Sequence, residues 1–327
     1  MKKYPGTTPA KPGIFQGEIE FSNPTLRDYR WPVCEIAGRR AGPKLCVTAG
    51  VHVNEVSSIE AAIRLQRLFD PEILRGSVSI IPVVNLPALY SYTEYTCPVD
   101  GKNINFTFPG DPNGTFSEAL CHALVTEWAG DADCYIDLHG GDLRETVSKF
   151  VMFQRTGDTA GDTFRRSLAE CFDADLVVGF APPHMDAPGR PPTAFARLGR
   201  NAIMSEGGAN GIVDEDSVAY HVGGVLNVAR KLGMIDGPLS PPKRAQVLCH
   251  DYIWTPAPVD GLFYSEIKPF DAVREGDAIG EFRSLFGERL ATLRAPATGY
   301  VLWRMTQPIL REGAAVLAIA VPAAEPR

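Results

Sequence analysis

Three apolar runs in this chain end in residues that could do chemistry. His52 and Glu55 stand three apart in Gly50-Val51-His52-Val53-Asn54-Glu55, just after the apolar run 44–49. In a turn or the first turn of a helix, positions i and i+3 point the same way. Imidazole and carboxylate both suit Zn²⁺. Alone, the pair reads equally well as a surface or capping pair. His139 closes the run 134–138 in Asp137-Leu138-His139-Gly140-Gly141. A single histidine there would be a satisfied core residue; beside His52 and Glu55 it supplies a third ligand. Three protein ligands with a fourth position open to water is the pattern of catalytic zinc, whereas structural zinc is closed, usually by cysteine. Glu206 ends the run 202–204 and precedes Gly207 and Gly208. A carboxylate there can take a proton from an activated water and pass it to a leaving group. Its ordinary reading is a turn cap or an arginine partner. Asp137 shares a strand face with His139 and could orient it; a strand-end turn carboxylate is the alternative.

These strand ends need a sheet to bring them together. Apolar runs at 44–49, 77–83, 134–138, 149–153 and 201–205 alternate with helical patterns at 56–69, 116–128, 159–172 and 214–232. Ser117 and Asp214 are candidate N-caps. Alternation of this kind predicts an α/β fold, a central sheet with helices on its faces. Two further strands are expected at 18–22 and 32–37, and residues 180–200, rich in proline, read as a long loop. After a proline cluster at 238–242 the pattern changes to short β runs: 246–253, 261–267, 278–283, 299–305 and 315–321. The chain thus divides into residues 1–240 and a small C-terminal all-β module, 241–327.

That module repeats itself. Ala257-Pro258-Val259-Asp260-Gly261 is echoed by Ala295-Pro296-Ala297-Thr298-Gly299, and Arg274-Glu275-Gly276 by Arg311-Glu312-Gly313. Two similar hairpin units are expected, resembling the halves of a biotinyl/lipoyl-type barrel sandwich. No lysine follows Lys268, so a carrier role is not supported, and a lid, spacer or oligomer contact is expected instead.

Composition narrows the class. The 327 residues are 45% hydrophobic and 22% charged, which excludes disorder, collagen and coiled coil. A net charge of −7 disfavours non-specific nucleic-acid binding. The longest apolar run, at 314–324, is too short to span a bilayer, and residues 1–13 lack the apolar core of a signal peptide. The seven cysteines are scattered, with no CxxC pair, which reads as reduced thiols in a cytoplasmic protein.

The set of motifs resembles the succinylglutamate desuccinylase/aspartoacylase family, a branch of the zinc carboxypeptidase-like fold. Gly50–Glu55 matches GxHxxE, Asp100–Gly110 matches DGxNxN…FPG, and Asp137–Gly141 matches DLHGG, with Glu206-Gly207-Gly208 later. The resemblance implies a mixed central sheet with helices on both faces, one Zn²⁺ per chain on His52, Glu55 and His139, and Glu206 as general base. It implies hydrolysis of an acyl bond, most often an amide of a small N-acylated amine or amino acid. Two positions depart from the family. Its carboxylate-gripping arginine is Phe106 here, and an arginine that helps hold the oxyanion falls at about Tyr95. Neither replacement offers a bidentate fork. Lys102, Arg144 and Arg155 are candidate substitutes, and Asn105 is retained for a polar substrate end. The alternatives are a zinc carboxypeptidase, which the loss at Phe106 disfavours, and a metal-binding relative without turnover, which an intact Glu206 disfavours. The other histidines, 122, 184, 221 and 250, read as surface or core residues, and the four tryptophans, 31, 128, 254 and 303, as core or interface residues rather than a stacking platform. A small-molecule substrate is expected, with no nucleic acid and no membrane; edge strands leave room for a homo-oligomer.

Overall fold

The apolar runs ending near Ala49, Leu138 and Glu206 become neighbouring strands of one sheet. The computed structural model describes residues 11–91, 93–181 and 189–323. Within residues 1–240 the strands are β1 (Gly13–Ile19), β2 (Trp31–Ala37), β3 (Arg40–Ala49), β4 (Arg75–Ile81), β5 (Cys134–His139), β6 (Glu145–Val147), β7 (Phe150–Gln154), β8 (Leu176–Phe180) and β9 (Asn201–Glu206). The helices are α1 (Val56–Leu65), α2 (Leu86–Leu89), α3 (Phe116–Ala123), α4 (Thr159–Ala169), α5 (Pro191–Arg197) and α6 (Glu215–Lys231). Then follow β10 (Val247–Pro256), β11 (Gly261–Tyr264), β12 (Ala272–Val273), β13 (Ala278–Arg283), β14 (Arg289–Arg294), β15 (Gly299–Met305), β16 (Ile309–Leu310) and β17 (Ala315–Pro322).

The main sheet runs β1-β2-β4-β3-β5-β9-β7-β8-β10-β17-β15-β12, with β6 beside β15. β3, β5 and β9 are parallel, and β7 turns back antiparallel to β9, so the sheet is mixed. Strand alternation sends side chains to two cores. Leu45, Val47, Ile136, Leu138 and Ile203 pack with α1, α4 and α6. Cys46, Tyr135 and Ala202 pack with α3 and α5 on the other face. The expected α/β fold with helices on both faces is therefore present. No described helix is long and apolar enough to cross a membrane, and all seven cysteines are buried and unbonded.

Several local expectations change. The cap of α3 is Thr115, in a capping box with Glu118. Ser117 is unavailable because Asp100 accepts from its backbone N and its Oγ, both at 2.8 Å. The helix then widens into a π turn over Leu124–Trp128. Asp214 does cap α6, accepting from Ser217 N at 2.9 Å. The first strand lies earlier than 18–22, because β1 pairs with the whole of β2 from Gly13↔Ala37 to Ile19↔Trp31. Residues 180–200 are not all loop. Two prolines open α5, where a helix tolerates them, and Ala194 and Phe195 are buried beneath the sheet. His184 lies outside the described residues.

The internal echo is a structural one. β11 pairs with β13 and β15 with β17, each antiparallel. The short middle strands are exchanged: β12 pairs with β15, and β16 with β11. Gly276 and Gly313, the echoed glycines, both have left-handed φ, 85° and 80°. A separate antiparallel sheet, β14-β13-β11-β16, forms one half; the other half joins the main sheet. One apolar cluster consequently crosses residue 240, combining Phe150, Met152 and Leu176 with Cys249, Leu302 and Ala318.

The division at residue 240 is proposed as a boundary between two modules that share a core and fold together, and truncation tests it. A chain ended there would leave β8 as an open edge over that apolar cluster. It should melt about 10 °C or more below the full chain, or aggregate. Melting within a few degrees of the full chain would show that residues 1–240 fold alone.

Candidate metal centre and active-site cavity

β3 ends at Ala49, and Gly50 turns the chain with φ 63°; a Cβ there would lie 2.9 Å from Val83 Cα. His52 sits in the turn, and Glu55 is the N-cap residue of α1. Its side chain makes no capping bond. Instead its Oε1 lies 2.6 Å from His52 Nδ1, and its Oε2 lies 2.9 Å from His139 Nδ1. Gly140 N donates to the same Oε2 at 3.0 Å. β5 and β9, parallel and in register, set His139 directly opposite Glu206. The glycine pairs after these strands stack backbone on backbone. A Cβ on Gly140 would fall 2.5 Å from Gly207 O, and one on Gly141 2.7 Å from Gly208 O.

These residues fit a divalent metal. One ligand atom from each of His52, Glu55 and His139 lies within 4.8 Å of the others, and all three residues are buried. In each histidine the Nε2 already faces an acceptor: Asn103 Oδ1 at 3.1 Å from His52 and Asp137 Oδ2 at 2.9 Å from His139. An N–H on Nε2 leaves the Nδ1 lone pair as the ligand on both rings. Buried His139 Nδ1, although 2.9 Å from Glu55 Oε2, makes no hydrogen bond of normal geometry among the described residues. Asp137 is itself oriented, its Oδ1 accepting from Thr48 Oγ1 at 2.6 Å. Two nitrogens and a carboxylate oxygen form a zinc-type donor set.

The charges are tightly coupled. Burial pushes the Glu55 carboxyl up, but the flanking imidazoles outweigh it and hold the group down at about 2. Burial pushes His52 down, and Glu55 more than offsets this. Glu206 is raised well above the usual carboxylate range, first by desolvation; His139 opposes the rise, and Glu55 and Glu145 add to it. Glu145 is pushed up to about 7 by burial, against the Tyr95 hydroxyl that donates to it.

Above the ligands opens a cavity of about 630 Å³. His52, Glu55, Glu206, Tyr95, Asn105 and Phe106 line it, whereas His139 lies buried beneath. Lys102 does not reach it; its ammonium is 2.8 Å from Glu118. Arg155 is also elsewhere, donating to Gly179 O at 3.1 Å. Arg144 does line the cavity, bonded to Gln307 at 2.9 Å and to Glu94. Sequence reasoning misses two further cations that line it, Arg190 and Arg311. The Arg190 guanidinium lies 4.5 Å over the Phe106 ring, an attractive cation–π distance. It also misses Glu145 and Asn103, of which only Asn103 had a signal, inside the Asp100–Gly110 motif. Trp303 belongs to an apolar core cluster, as expected, and together with Trp254 it also lines the cavity.

The catalytic-domain model of the succinylglutamate desuccinylase/aspartoacylase family matches residues 41–232. The chain belongs to this family. A curated relative is the N-alpha-acetyl-L-2,4-diaminobutyric acid deacetylase of Halomonas elongata, 29% identical over 214 residues. The match covers 65% of this chain and 61% of that protein, so it spans less than two thirds of the relative. Among solved structures, the ectoine utilization protein EutE (DoeB) of Ruegeria pomeroyi superposes with a TM-score of 0.84 at 24% identity, over 95% of this chain and 96% of that one. The succinylglutamate desuccinylase/aspartoacylase of Rhodobacter sphaeroides also gives 0.84, at 26% identity over 96% and 97%. Tyr95 and Phe106, the two positions expected from the sequence to depart from the family's pattern, both line the cavity. Tyr95 adopts a left-handed φ of 57°, uncommon for a bulky residue.

His221, a surface or core residue on sequence grounds, supports the Glu206 turn from beneath. It is fully buried, with Nδ1 2.9 Å from Ser205 Oγ. Burial pushes it down to about 4, so the folded chain keeps it neutral while the unfolded chain protonates it below about 6.5. Stability from this residue is present near neutrality and is lost as pH falls from about 6.5 towards 4. Between pH 7 and 5 the loss is about 2 kcal/mol. In His221→Gln, urea unfolding of chelator-treated protein should lose about that much less over the interval; equal losses would reject the assignment.

Proposed function

We propose that this chain is a zinc-dependent deacylase that hydrolyses the amide of a small N-acylated amine or amino acid. The observation that carries the reading is the clustering of His52, Glu55 and His139, with Glu206 opposite His139, at three neighbouring strand ends beneath one cavity that His52, Glu55 and Glu206 line. The name of the Halomonas relative supports the class. His52, Glu55 and His139 would hold one Zn²⁺, which when bound supplies Lewis-acid polarisation of a carbonyl and a more acidic water.

The rest is the work of the chain's own groups. Glu206 accepts no hydrogen bond among the described residues, and its raised affinity for protons suits a group that both takes and returns one. It removes a proton from the attacking water as the C–O bond forms. It delivers that proton to the nitrogen as the C–N bond breaks, giving a carboxylic acid and an amine, and the acid's remaining proton then passes to the amine to leave carboxylate and ammonium. Asn105, whose buried Oδ1 has no hydrogen-bond partner among the described residues, meets a polar end of the substrate. Tyr95 and Glu145 fix one wall as a hydrogen-bonded pair. Arg190 and Arg144 provide cations where Phe106 and Tyr95 cannot. Seven buried thiols suit a reducing compartment, and we place the protein in the cytoplasm.

Glu206→Gln should retain bound metal while kcat on N-acyl amino acids falls by about 10²–10⁴; full activity would refute the base. His139→Ala should lose zinc in metal analysis of purified protein; wild-type zinc content would refute the ligand set. A panel that includes free dipeptides separates a deacylase from a carboxypeptidase, since Arg190 could also receive a C-terminal carboxylate.

A further inference from the structure

The cavity is larger than the reacting groups need. At about 630 Å³ it falls in the range that takes drug-sized ligands, and an acetylated amino acid with a short side chain fills a minor part of it. The surplus is apolar and comes from the C-terminal strands: Tyr252 and Trp254 of β10, Leu302 and Trp303 of β15, Ile309 and Leu310 of β16. Tyr252, Trp254 and Trp303 form an edge-to-face series, with ring centroids 5.7 Å and 5.0 Å apart. Trp254 is 43% exposed and Ile309 67%. Large apolar side chains left exposed beside a reacting centre mark a surface that a ligand covers. This wall ends at a cation. Arg190 Nη2 donates to Tyr252 Oη at 2.9 Å, and its buried Nε has no hydrogen-bond partner among the described residues.

We propose that the substrate carries a bulky apolar group, preferably aromatic, that seats on the Tyr252–Trp254–Trp303 wall, and a carboxylate that pairs with Arg190. The proposal rests on the deacylase reading above and adds the substrate class to it. The apolar group belongs either to the acyl part or to the amino-acid side chain, and both present the same chemistry to the wall. Burying one phenyl ring there should favour the bulky substrate by about thirtyfold.

The test uses the zinc-loaded full chain. Values of kcat/KM are measured for N-acetylglycine, N-phenylacetylglycine and N-acetylphenylalanine, the last also as its C-terminal amide. At least one bulky substrate should exceed N-acetylglycine by about thirtyfold, and which one does so identifies the source of the apolar group. Trp254→Ala should cut that ratio about tenfold. Arg190→Leu should raise KM for the free carboxylate and narrow its advantage over the amide. Hydrolysis of all three acids at similar rates, or best for N-acetylglycine, overturns this proposal and leaves the deacylase reading standing. If none is hydrolysed, the deacylase reading fails, and tryptophan fluorescence decides the wall separately. Phenylacetate should then quench at concentrations about thirtyfold below those needed for acetate, and equal titrations overturn the proposal.

Discussion

The structure depends on one carboxylate held between two imidazoles. Glu55 is buried, and an isolated buried charge is costly. Its two oxygens face one ring nitrogen each, from His52 and His139, and a backbone N–H from Gly140. Because its partners come from different strands, the carboxylate is satisfied only when β3 and β5 lie side by side with matching ends. The outward nitrogens of both rings are fixed by Asn103 and Asp137, so neither ring is free to turn its ligand lone pair away.

The same constraint explains the paired glycines. For Glu206 to stand opposite His139, the segments leaving β5 and β9 must continue in contact, closer than side chains allow. Gly140 and Gly141 meet that requirement against Gly207 and Gly208, since a Cβ on either of the first pair would enter a carbonyl oxygen of the second, while one on Gly207 would strike the Tyr220 ring. Beneath them His221 fills the space under the turn. Reactive groups are thereby placed by backbone packing and not by long side chains, which keeps their positions narrow.

The C-terminal strands finish what the first 240 residues begin. They extend the main sheet past β8 and share its apolar cluster, and they supply the aromatic side of the cavity. Their exchanged short strands tie the two echoed units together, while the hairpin tip between those units, with Leu285 and Phe286 exposed, carries no lysine.

The sequence alone determined the α/β alternation, because strand and helix periodicities are local. It also singled out His52, Glu55, His139 and Glu206 as candidates, because each is marked by its own strand end and the following turn. The echo in the C-terminal module was legible because turn residues recur at fixed spacing. Tertiary structure decided the rest. Lys102 lies close in sequence to the Asn103–Asn105 stretch, yet Glu118 holds it outside the cavity. Arg190, remote in sequence, returns a guanidinium to the face of Phe106. Trp254 and Trp303 are unremarkable in their own strands and become a cavity wall only when β10 and β15 join the sheet. A side chain's type and its place on a strand are local properties, but which groups it meets depends on which strands pair, and that is fixed only by the packing of the whole chain.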